Sequence, residues 1–202
     1  MTIYAIVNGL ISKQSENSAS TPVWTLISPS AILQGGNPYF VPDFDTRFEA
    51  RPALALRIGK LGKGIARRFA HRYIDSVTPC CAMVATDTLR SAMESGLPWS
   101  RALSYDRSIV MGTPLKIPME EIGEFRFNVT LQSAVSTPSC EWTAAECASA
   151  IEDVVSELSR DNTLKTGDII LIGMAPEGPL LCEGQRAVIS VGSDVSARFN
   201  IR

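Results

Sequence analysis

Histidine is the side chain that most often transfers protons near neutral pH, and the 202-residue chain contains a single one, His71. A serine–histidine–aspartate triad or a histidine-rich metal site would have to include it. No GxSxG motif is present to hold a nucleophilic serine at a sharp turn. The glycine-rich run at residues 59–64 has the spacing of neither a P-loop nor a dinucleotide-binding loop. This pattern favours a structural role for His71.

Carboxylates are the second group that could carry chemistry, because hard divalent cations prefer oxygen ligands. Asp43, Asp45 and Glu49 lie close together in the sequence. A cation needs oxygen atoms from more than one segment, and Asp87 and Asp106 are the candidate later partners. These five residues predict either a metal site or a solvated acidic loop, and the solvated loop is the simpler interpretation.

The cysteines give no sign of a metal site or a disulfide framework. There are five, an odd number, and no two of them form a CxxC pair. Such a set is typical of reduced, mostly buried thiols, so we expect a cytoplasmic protein. The first apolar stretch, residues 3–11, is too short for a signal peptide or membrane span and has no Lys or Arg before it. We therefore expect no membrane partner.

Composition predicts an ordinary globular domain. The chain is 45% hydrophobic, which is ample for one sizeable core, and it carries 19 Lys and Arg against 21 Asp and Glu. The net charge is −2 and the pI is about 5.5. Because the basic residues are scattered and the balance is nearly neutral, we expect no nucleic-acid partner.

Short apolar segments separated by turn signals predict most of the secondary structure as strands. The predicted strands are residues 23–27, 53–58, 108–111, 125–131, 168–173, 186–191 and 195–201. The clearest is 125–131, in which apolar residues alternate with polar ones and so mark one buried face. The polar run at residues 12–21 predicts a surface loop.

Two segments carry helical spacing instead. Apolar residues recur at every fourth position from Ile65 to Val77 and predict an amphipathic helix of about three turns. Thr143 and Glu146 form a capping box that predicts the start of a second helix, which runs to Leu158. The fold class is therefore α+β and mostly β, with sheets in a roll or sandwich and two or three peripheral helices.

Four strings, in this order, carry a resemblance that covers nearly the whole chain. They are residues 40–44 (FVPDF), 64–73 (GIARRFAHRY), 96–99 (GLPW) and 164–171 (LKTGDIIL). Their spacing resembles the fumarylacetoacetate hydrolase family, in its short acylpyruvase and 2-hydroxyhepta-2,4-diene-1,7-dioate isomerase-like branch. The resemblance implies a single domain with a mixed β-roll, usually dimeric. Residues 1–35 would form an N-terminal strand and lid-like loop, and residues 40–202 the β-roll core.

The resemblance also implies Mg²⁺ or Mn²⁺ and the cleavage, hydration, isomerisation or decarboxylation of small 2-oxo and diketo acids. It places the family's Glu-x-Glu metal pair on Arg51 and Ala53, and the metal-binding aspartate on Ala82. Alanine offers no oxygen to a cation, and a guanidinium keeps its charge in proteins and repels one. We therefore predict that the metal site is lost, with no metal ligand, no catalytic residue and no cofactor.

The resemblance implies that some other functional residues of the family are replaced in this sequence and that others are retained. By the resemblance, the lysine that follows the Leu-Pro-Trp string falls on Leu103, the threonine of the Thr-Gly-Thr-Pro turn near Met174, and the lid-loop histidine near Ser12. The retained residues are Asp87, Trp99, Ser104 and Asp106.

The guanidinium group of Arg51 could supply the positive charge that the metal ion supplies in the family, because its planar pair of N–H donors suits a carboxylate. We thus predict a site for a small carboxylic acid at Arg51, Asp87, Ser104 and Asp106. The alternative for Arg51 is a surface position or an ion pair with Glu49 or Asp87.

Three functions remain open. The first is a homodimeric pseudoenzyme that binds a small 2-oxo or dicarboxylic acid or a protein partner. The second is an active enzyme that holds its cation with relocated carboxylates, chosen from Asp43, Glu49, Asp87 and Asp106. The third is a structural subunit that pairs with an active paralogue.

Overall fold

A computed structural model of the chain describes residues 1–7, 22–116, 122, 126–133, 136–143 and 151–202. The strands in these ranges are β1 (Ile3–Ile6), β2 (Trp24–Ile27), β3 (Ile32–Gln34), β4 (Phe48–Ile58), β5 (Ile74–Ala85), β6 (Ile109–Met111), β7 (Arg126–Gln132), β8 (Ser139–Thr143), β9 (Ile169–Ile172), β10 (Arg186–Val191) and β11 (Asp194–Asn200). The α-helices are α1 (Thr86–Glu94), α2 (Ser100–Leu103) and α3 (Ile151–Asp161). In the same ranges, 3-10 helices cover Pro29–Ala31 and Arg67–Tyr73. The predicted fold class, a mostly β roll with peripheral helices, is confirmed.

The strands form two sheets. A mixed seven-stranded sheet has the order β2-β1-β9-β4-β5-β6-β3, and a four-stranded antiparallel sheet has the order β11-β10-β7-β8. The two longest strands, β4 and β5, pair antiparallel from Phe48 opposite Ala85 to Ile58 opposite Ile74. They are long and almost continuously buried because both faces of this part of the sheet are covered.

Each face of the seven-stranded sheet has its own cover. Leu89 of α1 and Leu103 of α2 pack on one face, among buried residues of β4, β5 and β6. On the other face, α3 packs against β4 and β9 through residues such as Val155 and Leu158. The four-stranded sheet covers the rest of that face, where Val129 and Ile189 meet residues of β5. Among the described helices, none combines the length and the hydrophobicity that a membrane span requires.

The helix predicted over residues 65–77 is wrong in its second half. A 3-10 helix ends at Tyr73 and β5 begins at Ile74, so Val77 lies in a strand. Phe69, expected on the buried face, is 37% exposed. Residues 74–79 include Ile, Val, Thr and Pro, which disfavour a helix, and pairing with β4 satisfies their backbone groups.

The start of the second predicted helix lies outside the described residues. Thr143, its predicted N-cap, is the last residue of β8. Its partner in the predicted capping box, Glu146, lies outside the described residues, as do Ser12, Phe125 and the polar run at 12–21. The described helix α3 ends at Asp161 and contains the predicted core position Leu158.

Two tyrosine hydroxyls meet in the core. The Oη atoms of Tyr39 and Tyr105 are 2.9 Å apart, and the Tyr105 hydroxyl donates to the backbone carbonyl of Met83 at 2.7 Å. Because the Tyr105 proton points to that carbonyl, the Tyr39 hydroxyl donates to Tyr105. Burial raises the pKa of both hydroxyls, so both remain neutral at physiological pH.

Removal of the Tyr105 hydroxyl should destabilise the fold. Tyr105→Phe leaves the Met83 carbonyl without its donor and the buried Tyr39 hydroxyl without its acceptor. We expect the free energy of unfolding, measured by urea denaturation, to fall by about 1–3 kcal/mol. Tyr73→Phe is the matched control, since no described residue hydrogen-bonds the Tyr73 hydroxyl, and it should cost less than about 0.5 kcal/mol. Equal losses in the two variants would contradict this account.

Candidate functional site

The register of β4 and β5 brings together the positions that the family resemblance assigns to metal ligands. Arg51 lies opposite Ala82, and Ala53 lies opposite Cys80. Residues two apart in a strand share a face, as do directly opposed residues of an antiparallel pair. The side chains of Arg51, Ala53 and Ala82 therefore project from the same face of the sheet.

Apolar packing fills this face. Ala53, Ala82, Leu103 and Met174 are each at most 4% exposed and belong to one hydrophobic cluster. None of these four side chains carries an oxygen or nitrogen that could bind a cation. In the described ranges, no group of three His, Cys, Asp or Glu side chains is placed to hold a metal ion. The residues present at these positions do not fit the Mg²⁺ or Mn²⁺ that the family implies.

Arg51, at the border of this cluster, is held by an ion pair. Its side chain is 8% exposed, and its Nε and Nη2 atoms lie 3.0 and 2.9 Å from Oε2 of Glu49. The same oxygen accepts a hydrogen bond from the backbone N–H of Gly178 at 3.3 Å. Arg51 thus forms the ion pair with Glu49 that the sequence offered as an alternative. Its Nη1 atom has no hydrogen-bond partner among the described residues.

The segment of residues 174–181, here called the strap, lies along β4 and carries Gly178. The backbone N–H of Ala50 donates to the carbonyl of Pro179 at 2.9 Å, in addition to the Gly178 contact with Glu49. A Cβ on Gly178 would lie 2.1 Å from the carbonyl oxygen of Ala50. Only glycine therefore allows the strap to approach this closely, and the approach places the Gly178 N–H on Glu49.

A cavity of about 500 Å³ opens beside the ion pair. It is lined by Arg47, Glu49, Arg51, Thr86, Leu89, Arg90, Met93, Pro176 and Glu177. Three guanidinium groups thus face two carboxylates, and one of those carboxylates is already neutralised by Arg51. The rest of the wall is Leu89, Met93 and Pro176, which are apolar, and Thr86, which is polar. This arrangement suits a small anion with an apolar body.

Asp45 links the backbone of Arg47, a residue that lines the cavity, to the first turn of α1. Its Oδ2 accepts from the backbone N–H of Thr88 in the first turn of α1 at 2.8 Å, and its Oδ1 accepts from that of Arg47 at 3.0 Å. Burial by itself would raise the pKa of Asp45, but these hydrogen bonds outweigh it and lower the pKa below its ordinary value. The charged carboxylate therefore fixes Arg47 relative to α1.

The predicted ligand-binding residues are not all brought together. Of Arg51, Asp87, Ser104 and Asp106, only Arg51 lines the cavity. Oδ2 of Asp87 accepts from the Thr46 hydroxyl at 3.0 Å, and its Oδ1 lies 3.4 Å from Arg90. The Ser104 hydroxyl accepts from the backbone N–H of Ser28, while Asp106 is exposed.

Sequence reasoning missed Arg47, Arg90 and Glu177 as cavity residues. Arg47 could have been found, because Arg47, Glu49 and Arg51 alternate with other residues at the period of a strand and so share one face. Arg90 and Glu177 carry no such signal, since they reach the cavity from a helix and from the strap.

The family profile described as Fumarylacetoacetate (FAA) hydrolase C-terminal matches residues 6–201. A mouse (Mus musculus) relative, the mitochondrial oxaloacetate tautomerase FAHD1, is 25% identical over 190 residues, which cover 91% of this chain and 82% of the relative. The mitochondrial oxaloacetate decarboxylase of Dictyostelium discoideum is 25% identical over 171 residues, which cover 82% and 76%.

Solved structures share the fold. A fumarylacetoacetate hydrolase family protein from Yersinia pestis matches with a TM-score of 0.85 and 17% identity, covering 100% of this chain and 93% of that one. Fumarylpyruvate hydrolase from Pseudomonas aeruginosa, in complex with Mn²⁺ and pyruvate, matches with a TM-score of 0.79 and 18% identity, covering 100% and 90%.

The Arg51–Glu49 pair should contribute more to stability than an exposed pair of similar geometry. Glu49→Ala leaves a buried guanidinium without its carboxylate, and we expect the free energy of unfolding to fall by roughly 3 kcal/mol. The control is Glu141→Ala, whose partner Arg126 is 68% exposed, and it should cost less than about 1 kcal/mol. Chemical denaturation of both variants measures the difference. A loss for Glu49→Ala no larger than for the control would refute the role of the pair.

Asp45 should make stability depend on acid pH. Because folding lowers the pKa of Asp45, its contribution is complete above the unfolded-state pKa of about 4 and is lost as pH falls through the folded-state value. The difference in unfolding free energy between the wild type and Asp45→Asn should therefore shrink between pH 5 and pH 2. Urea denaturation across this range measures it. A constant difference would show that the Asp45 charge is not what stabilises the contact.

Proposed function

The chain belongs to the fumarylacetoacetate hydrolase family, and we propose that it is a member without metal-dependent catalysis that binds a small 2-oxo or dicarboxylic acid. One observation carries the proposal: Ala53, Ala82 and Leu103 pack into a single apolar cluster. These are positions at which the family resemblance expects two metal-binding carboxylates and a lysine. Met174, near the expected threonine, packs in the same cluster.

The charges around this cluster also oppose a cation. Glu49 is the carboxylate nearest in sequence to the replaced ligands, and its Oε2 already accepts from Arg51 and Gly178. Arg51 stays charged in a protein and repels a second cation at short range. Mg²⁺ or Mn²⁺ would polarise a 2-oxo acid if it were bound, but the part of the chain that the structure describes supplies no ligand set for it.

The cavity lined by Arg47, Arg51 and Arg90, here called the arginine cavity, supports the proposal that the protein binds a small acid. Arg47 lines the cavity, is exposed and has no acidic partner among the described residues, and the Nη1 atom of Arg51 has no hydrogen-bond partner among them. A ligand carboxylate can pair with these two guanidinium groups. The carbon chain of the acid can then pack on Leu89 and Met93.

An active enzyme is the second candidate, favoured by the relatives, whose names describe oxaloacetate tautomerase and decarboxylase activity. It requires relocated carboxylates, yet Glu49 is paired with Arg51 and Asp87 with Arg90. Asp43 and Asp106 are exposed, and the four acids do not form a cluster. A homodimer, or a pair with an active paralogue, is also a proposal and is compatible with either candidate.

Metal analysis and activity assays test the proposal that the protein lacks metal-dependent catalysis. We expect purified protein to contain no stoichiometric metal, and oxaloacetate tautomerisation and acylpyruvate hydrolysis to proceed at the uncatalysed rate with added Mg²⁺ or Mn²⁺. A saturable, protein-dependent rate with either metal would establish the active enzyme instead.

Calorimetry with oxaloacetate and pyruvate in metal-free buffer tests the binding half. Arg47→Ala should weaken binding about tenfold, because it removes one of the two carboxylate-binding groups. Arg51→Ala combined with Glu49→Ala avoids a buried unpaired charge and should also reduce the heat. Arg186→Ala removes a similar exposed charge from β10 and is the control. Equal heats for the wild type and the Arg47 and Arg51 variants would end the proposal for this cavity.

A further inference from the structure

Basic residues are concentrated in one segment that the proposed function does not use. Residues 57–72 contain six of the chain's 19 Lys and Arg and no Asp or Glu. Such a concentration in a chain of net charge −2 creates a local positive surface. We refer to residues 57–72 as the basic segment.

The 3-10 helix Arg67–Tyr73 presents two of these cations on an aromatic ring. The guanidinium carbons of Arg68 and Arg72 lie 4.7 and 5.0 Å from the ring centroid of Phe69, which is 37% exposed. Cation–π contacts at this distance restrict the guanidinium groups without neutralising them. The ring therefore positions two positive charges at the surface.

Acidic neighbours neutralise only part of the basic segment. Asp153 of α3 lies 2.7 Å from Arg67, and Asp75 lies 2.9 Å from Arg57. Glu152 of α3 lies 3.8 Å from His71. No described residue supplies an acidic partner within 4 Å to the other four cations, which are Lys60, Lys63, Arg68 and Arg72.

The loop of residues 59–64 adds to the same face. The backbone N–H of Gly59 donates to the carbonyl of Tyr73 at 2.8 Å, and a Cβ on Gly62 would lie 2.5 Å from the Tyr73 ring. The loop therefore packs on the end of the 3-10 helix. It carries Leu61, which is 69% exposed, beside two lysines. The face thus combines unpaired positive charge with exposed apolar side chains.

We propose that this face binds a short acidic peptide segment of a partner protein. Carboxylates of the peptide pair with the guanidinium groups of Arg68 and Arg72, and an apolar side chain of the peptide packs on the exposed Leu61. Charge complementarity with the four unpaired cations identifies the partner as acidic.

Two features disfavour a nucleic acid on this face. The guanidinium groups already cover the Phe69 ring, which removes the platform on which single-stranded bases stack. Glu152, Asp153 and Asp75 border the basic segment, so a long polyanion that continues past it meets negative charge.

Fluorescence anisotropy with the full chain tests the proposal. The probe is a fluorescein-labelled ten-residue peptide of alternating Glu and Leu, and the reference is the same peptide with Gln in place of Glu. We expect the Glu peptide to bind, with affinity that falls at higher salt, and the Gln peptide to bind at least about tenfold more weakly.

Variants at the surface complete the test. Arg68→Ala with Arg72→Ala should reduce the affinity for the Glu peptide about tenfold. The matched control, Arg186→Ala with Arg198→Ala, removes the same charge from exposed positions of the four-stranded sheet and should change it less than about twofold. Circular dichroism checks that both variants are folded.

Three results would overturn the proposal. The first is equal peptide affinity in the wild type and the Arg68/Arg72 variant. The second is tighter binding of a 20-nucleotide poly-U RNA than of the Glu peptide, which would assign the face to nucleic acid. The third is self-association that disappears in the Arg68/Arg72 variant, which would assign it to a second copy of the chain.

Discussion

The antiparallel pairing of β4 and β5 is the constraint on which the rest of the molecule depends. Its register places Arg51 opposite Ala82 and, two residues along, Ala53 opposite Cys80. A slip of one residue would turn every one of these side chains to the other face of the sheet. The helices, the strap and the cavity are all positioned against these two strands, so the register decides which side chains meet at the candidate site.

Apolar packing on that face and charge at its border are two parts of one arrangement. Ala53 and Ala82 continue the hydrophobic cluster beneath α1 and α2, where carboxylates would need charged partners or a cation. The charged side chains lie at the border of this cluster, where Glu49 and Arg51 form an ion pair. The backbone N–H of Gly178 in the strap donates one further hydrogen bond to Glu49. The core at this face is thus apolar, and three arginines line the cavity beside it.

The two binding surfaces that we propose would recognise negative charge in different ways. The arginine cavity is a concave pocket that holds partly neutralised guanidinium groups and has Leu89 and Met93 in its lining for the carbon chain of a small acid. The basic segment is exposed, and its cations are held by the Phe69 ring and left without acidic partners among the described residues. A cavity selects a ligand by its size and shape, whereas an exposed face selects a ligand by the spacing of its charges.

The sequence by itself determined the mostly β class and the positions of most strands, and it led to the proposal that Arg51, Ala53 and Ala82 replace the metal ligands of the family. These follow from alternation, turn residues and residue chemistry, which are local properties. Only the tertiary structure decided that residues 74–77 are strand, that Arg51 pairs with Glu49, and that Arg47, Arg90 and Glu177 reach one cavity. Fourfold apolar spacing favours a helix in isolation, but pairing with β4 and β6 satisfies the backbone of β5 and outweighs that preference. Contacts between a strand, a helix and the strap depend on how distant segments pack, and no local pattern encodes them.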